Sequence, residues 1–253
     1  MTAKMTEETA DERMTRLITD KMVKPLRKRF YKTVSIATDN AILLDGRGVK
    51  TPLKAKLMLP NAAMAEAVAE EWRVQTTAID PALMPLTKLA NTAIDRATTE
   101  RQMVVDEIVN YAGTDLVCYR AAEPETLVAR QYAHWQPVLD WAAKDIAAAF
   151  KTATGISHVA QAAHAVSRLR AHVEKFDAWQ LTGAYLLTTL SGSALLALML
   201  QAGAISADAA WVAANVDEDF QIEKWGEDWE ATQRRQSRKN EFDGLVKYFD
   251  LLR

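Results

Sequence analysis

Between residues 32 and 60 apolar and polar positions alternate over short runs punctuated by turn residues, which predicts β structure. Val34 and Ile36 alternate with polar neighbours, Asp39-Asn40 supplies a turn, and Ala41 to Leu44 is a short apolar run. Asp45-Gly46-Arg47-Gly48 is a second turn, with Asp-Gly as the strong hairpin signal. Val49 to Leu53 and Leu57 to Leu59 complete a small meander closed by Pro60. So few strands must pack on helices.

Beyond Pro60 the period becomes helical. Asn61 is placed to cap a helix running to about Gln75. In it Trp72 is expected to pack inward as a structural residue, with Glu70 and Glu71 nearer solvent. Ile79 to Pro85 is an extended connector, because two prolines suppress helix. Helices follow over Leu86 to Ala97 and Glu100 to Tyr111. Thr114 to Arg120 is a short buried segment. Glu123 to Lys151 reads as a long helical stretch that Pro137 must kink or break. Further helices are expected over His164 to Phe176, Ala178 to Leu190, Ser193 to Gln201, Asp208 to about Glu223, and Glu227 to Leu252. In the last, Phe242, Leu245, Val246, Phe249 and Leu252 share one face.

These elements give an α+β class: a small N-terminal β-rich domain followed by a larger all-helical C-terminal domain. The expected division is a polar extension over 1–28, the N-terminal domain over 29–120 and the helical domain over 121–253. Acids in the extension (Glu7, Glu8, Asp11, Glu12, Asp20) argue against a transit peptide, and no apolar run follows to make a secretory signal. A reducing, cytoplasmic location is expected, since the one cysteine, Cys118, forms no internal disulfide. Residues 178–207 carry no formal charge. Thr188, Thr189, Ser191, Gly192 and Ser193 interrupt the run, so a buried helical hairpin is expected there and no stable membrane insertion.

Net charge is −2, which offers nothing for nucleic acid. The four histidines form no pair at metal-ligand spacing, and no zinc or di-iron site is expected. Ser191-Gly192-Ser193 is no nucleophile elbow, because Leu190 stands where a glycine is needed. Cys118 reads as a buried small hydrophobe. The residues therefore predict no catalytic group and no cofactor.

The chemistry gathers near the end of the chain. Between Asp217 and Glu230 lie seven carboxylates and one lysine, with Phe220, Ile222, Trp225 and Trp229 threaded among them. The stretch then turns basic from Arg234 to Lys239. Rings supply contact area at low entropy cost, and carboxylates steer and select a basic partner. A recognition surface is the functional reading; a solvated helix with a few core rings explains the same pattern. A small-molecule hydrolase using carboxylates of this block is the alternative from another class.

Eight blocks, in order, carry a family resemblance: RFYKTV at Arg29 to Val34, LLDGRGVKTP at Leu43 to Pro52, AVAEEWRVQ at Ala67 to Gln75, IDPALMPLTKLANTAIDR at Ile79 to Arg96, YAGTDLVCYRA at Tyr111 to Ala121, WQPVLDW at Trp135 to Trp141, LSGSALLALML at Leu190 to Leu200, and VDEDFQIEKWGEDWEA at Val216 to Ala231. Together they resemble the assembly chaperone of the F-type ATP synthase that binds the isolated alpha subunit. The resemblance implies a non-enzymatic protein whose partner is that subunit, held until it meets beta. It implies partner contacts at Asp217, Glu218, Glu223, Trp225, Glu227, Asp228 and Glu230, with Gly226 providing a bend. A bacterial, monomeric member is expected.

Overall fold

The structure, a computed structural model, describes residues 26–155 and 157–253. The first 25 residues of the expected polar extension lie outside the described residues. β1 (Arg27–Lys28) pairs antiparallel with β5 (Ala78–Ile79). β2 (Val34–Ile36), β3 (Ile42–Leu44) and β4 (Arg47–Gly48) form an antiparallel sheet in sequence order. Leu44 faces Arg47 across the β3–β4 turn. Asp45 and Gly46 both hold positive φ, 48° and 76°, as a two-residue primed turn requires. The Asp45 carboxylate also accepts from the Thr33 and Lys32 amides, which pulls its pKa below the ordinary carboxylate value.

The helices are α1 (Ala62–Arg73), α2 (Pro85–Thr92), α3 (Arg101–Gly113), α4 (Glu125–Asp145), α5 (Ala163–Val173), α6 (Ala178–Ser191), α7 (Ala194–Gln201), α8 (Ala207–Ala214), α9 (Val216–Trp225) and α10 (Trp229–Leu252). A π-helical turn, Ala93–Ala97, extends α2. β6 (Tyr119–Arg120) pairs in parallel with β7 (Ala153–Thr154). The class is α+β, a small β region leading into helices.

The uncharged stretch forms α6 and α7. Asp177 and Gln180 make a reciprocal capping box at the start of α6, and Gly192 closes it at φ 74°. Ser193 then caps α7 by accepting from the Leu196 amide at 3.0 Å. Every residue of α7 from Ala194 to Leu200 is buried, so its composition reflects the core. Among the described residues no helix is long and apolar enough to cross a membrane. One continuous buried cluster runs from Ile42 and Leu57 through Trp135 and Leu195 to Phe249.

Several expectations change. Val49 to Leu53 and Leu57 to Leu59 form only isolated bridges, Lys50 to Lys56 and Ala41 to Met58, and α4 stops at Asp145 short of Lys151. Glu71 is not near solvent. It is buried, and its carboxylate accepts from the Leu86 and Thr87 amides and the Thr87 hydroxyl, each at 2.7 Å. The two amides are orphan donors at the start of α2, where a negative charge is also favoured by the helix dipole. Nor is the segment from Asp208 to Glu223 one helix. It breaks at Asn215 (φ −124°), whose side chain turns back to donate to the Trp211 carbonyl at 2.7 Å. Pro137 lies within α4, which continues through it.

Candidate functional site

The acidic block folds as α9, a glycine joint and the first turn of α10. Gly226 ends α9 at φ 87°, a conformation costly for a residue with Cβ. Asp228 caps α10, accepting from the Ala231 amide at 3.0 Å. Phe220 anchors α9 by packing inward, with the Arg130 guanidinium 5.6 Å from its ring centre.

The carboxylates divide into two sets. Those of α9 are engaged internally. Asp217 accepts from the Gln131 side chain at 2.7 Å, and Glu223 receives both prongs of Arg130. That pairing holds the Glu223 carboxyl below its ordinary range. Glu218 pairs with Arg238 at 3.0 Å and lies 3.6 Å from Arg235. Asp219 pairs with Arg235, whose guanidinium also sits 5.7 Å from the Trp211 ring centre. The basic half of the stretch thus clasps part of the acidic half across the α9–α10 joint.

The second set lies at the joint. Glu227 is exposed and makes no ion pair among the described residues. Glu230 is exposed, and among the described residues its one ion-pair partner is Arg234, one helical turn on and 3.6 Å away. Trp225 and Trp229 bracket this acidic turn and are 78% and 74% exposed. Leaving two such rings in water forgoes burial worth roughly 3–5 kcal/mol each. The joint therefore presents two indoles and unspent negative charge, an arrangement able to dock a partner with apolar and basic surface.

Beside Trp225 lies a groove of about 420 Å³ between the end of β6 and α9, with Arg120, Gln131 and Asp217 in its walls. Arg120 donates to the Gln131 carbonyl at 2.7 Å, and burial lowers its pKa. Gln131 also accepts from the Ala121 amide at 2.7 Å, so it links β6 to α9. Arg130, Gln131, Arg235 and Arg238 position the block; the sequence reading gave none of them a role, although Arg235 and Arg238 lie in the basic run it noted. For the last two, their three-residue spacing on one helix face was the available signal.

Trp72 is half-buried and packs on the core, with Tyr31 donating to its carbonyl at 2.7 Å. Cys118 is buried, its thiol pushed up to about 12, far from a reactive thiolate. Among the described residues no group of three or more His, Cys, Asp or Glu side chains is placed to hold a metal.

The family profile described as ATP12 chaperone protein matches residues 28–143. The crystal structure of Atp12 from Paracoccus denitrificans is similar at a TM-score of 0.85 and 38% identity, covering 90% of this chain and 99% of that one. An aspartate-to-lysine mutant of the same Paracoccus protein is similar at 0.85 and 38%, over 90% and 98%. A protein of Agrobacterium tumefaciens described as a candidate chaperone is similar at 0.85 and 39%, over 92% and 88%. With fold and sequence alike over nearly the whole length of these relatives, the chain belongs to the ATP12 chaperone family.

Proposed function

We propose that the chain is an ATP synthase assembly chaperone that binds the unassembled alpha subunit of the F-type enzyme and keeps it from aggregating until it pairs with beta. It acts as a monomer in the bacterial cytoplasm and catalyses no reaction. The observation that carries the reading is the exposure of Trp225 and Trp229 on either side of Glu227 and Asp228. An orphan subunit displays apolar surface that its neighbour would cover, and such surface aggregates. Two rings give a small, replaceable apolar contact, while the carboxylates raise encounter rate and select a basic rim. Glu227, Glu230 and Asp228 face the partner with the two tryptophans. Asp217, Glu218 and Glu223 serve the same surface by fixing α9 through Gln131, Arg238 and Arg130. Gly226 sets the bend between the helices, and Trp72 supports the fold.

Tagged protein expressed in cells lacking the beta subunit tests the reading by co-purification and mass spectrometry. The alpha subunit is expected as the captured protein. Reversal of Glu227 and Glu230 to lysine should weaken its capture about tenfold or more while leaving the helical circular dichroism intact. Capture of alpha undiminished by the reversals would move the site elsewhere, and failure to capture alpha at all would end the reading.

A further inference from the structure

A second groove lies away from the acidic joint, between β1 and β5 on one side and β4 on the other, with Tyr31 and Trp72 in its walls and a volume of about 840 Å³. Its apolar lining is open to solvent at Leu26 and Phe30, 49% and 59% exposed. Its rim is cationic: Arg27, Arg47 and Lys50 all line it, and none makes an ion pair within 4.0 Å among the described residues. Asp45, the one carboxylate in the lining among the described residues, is occupied by the Lys32 and Thr33 amides and the Thr33 hydroxyl. Gly48 on edge strand β4 faces open space, with no atom within 4 Å of where a Cβ would stand. In the Trp72 wall the indole nitrogen is a buried donor with no acceptor among the described residues.

We propose that this groove is a docking site for an extended peptide segment of a partner protein in which carboxylates alternate with apolar side chains. The alternation follows from the geometry. A strand laid along an edge sends successive side chains to opposite faces, one toward the apolar floor and the next toward the cationic rim. Positive charge without an ion-pair partner among the described residues selects carboxylates, and Phe30, with the Arg27 guanidinium 5.1 Å from its ring centre, supplies an aromatic floor. The site is independent of the tryptophan joint and opposite to it in sign, so the molecule would grip at two places with complementary chemistry.

The probe is a fluorescein-labelled synthetic peptide of alternating glutamate and leucine or phenylalanine, followed by fluorescence anisotropy on the full chain. Binding is expected to weaken steeply with salt, and to vanish when the peptide glutamates are replaced by lysine. Arg47→Glu combined with Lys50→Glu should lower affinity about tenfold or more, whereas Glu227→Lys with Glu230→Lys should leave it unchanged. Should the Arg47 and Lys50 reversals unfold the chain, the salt series and the lysine peptide on unaltered protein decide the matter alone. Absence of binding, or equal binding of the lysine peptide, overturns the proposal. A tighter complex after deletion of residues 1–25 would assign the groove to the chain's own N-terminal segment. A self-association abolished by the Arg47 and Lys50 reversals would assign it to a second copy. Either assignment overturns a partner segment as occupant.

Discussion

Arg130 on α4 and Glu223 on α9 form a two-pronged ion pair, Nη1 to Oε1 and Nη2 to Oε2 each at 2.7 Å. The pair sits two residues before Trp225, so it fixes the direction in which α9 delivers that ring. Fork-to-carboxylate geometry supplies orientation as well as attraction. A positioning role makes a distinct prediction. Glu223→Lys should weaken alpha-subunit capture, and adding Arg130→Glu should restore much of it by rebuilding the pair in reverse. If Glu223 met the partner directly, the double variant would be no better than the single one, as binding measurements on both would reveal.

The Glu71 carboxylate closes the start of α2 from a neighbouring helix, and burial raises its pKa. Glu71→Gln replaces one acceptor oxygen by a donor facing backbone N–H groups. A stability loss on the order of 1–3 kcal/mol is expected in urea unfolding, from the unpaired buried amides. An unchanged midpoint would mean that those amides find other acceptors.

Gly183 on α6 lies against the Phe249 ring of α10, where a Cβ would collide with the ring. Gly183→Ala gains helix propensity yet overpacks this crossing, and the clash should dominate, with about 1–3 kcal/mol lost. A companion change, Phe249→Leu, should recover part of the loss by making room. Calorimetric melting of the two variants decides it, and a more stable Gly183→Ala would show that the helices separate freely.

Asp115 is fully buried beneath the α6–α7 hairpin, where it accepts from the Leu195 amide at 3.0 Å. Burial raises its pKa from 3.8 to about 6. Between those values the unfolded chain holds fewer protons than the folded one, so this group's contribution to stability falls as pH rises from about 4 to about 6. Above that range the loss is constant. Asp115→Asn carries no such titration. The stability difference between parent and variant should therefore change with pH within that window and level off beyond it. A difference independent of pH from 4 to 7 would contradict the assignment.

Local patterns made much of the fold legible. The Asp45-Gly46 turn and the Asn61 cap each depend on a few adjacent residues, and each appears where the sequence puts it. The two-residue strand pairs β1–β5 and β6–β7 left no alternation to read, because two positions cannot show a period. Glu71 was misplaced because its donors come from α2, fifteen residues further along. In the acidic block the sequence displays every carboxylate alike. Only packing reveals that Glu223 is spent on Arg130 and Asp219 on Arg235, while Glu227 stays clear beside two exposed indoles.

The most direct test of the tryptophan joint follows aggregation of purified alpha subunit by light scattering, with parent chaperone or with the Trp225→Ala, Trp229→Ala variant. Both rings contact solvent and neither supports the core, so the variant should melt with the parent. Parent protein should suppress scattering near equimolar ratio, and the variant should need about tenfold more or fail. Full suppression by the variant at the parent's ratio would contradict a docking role for the two rings.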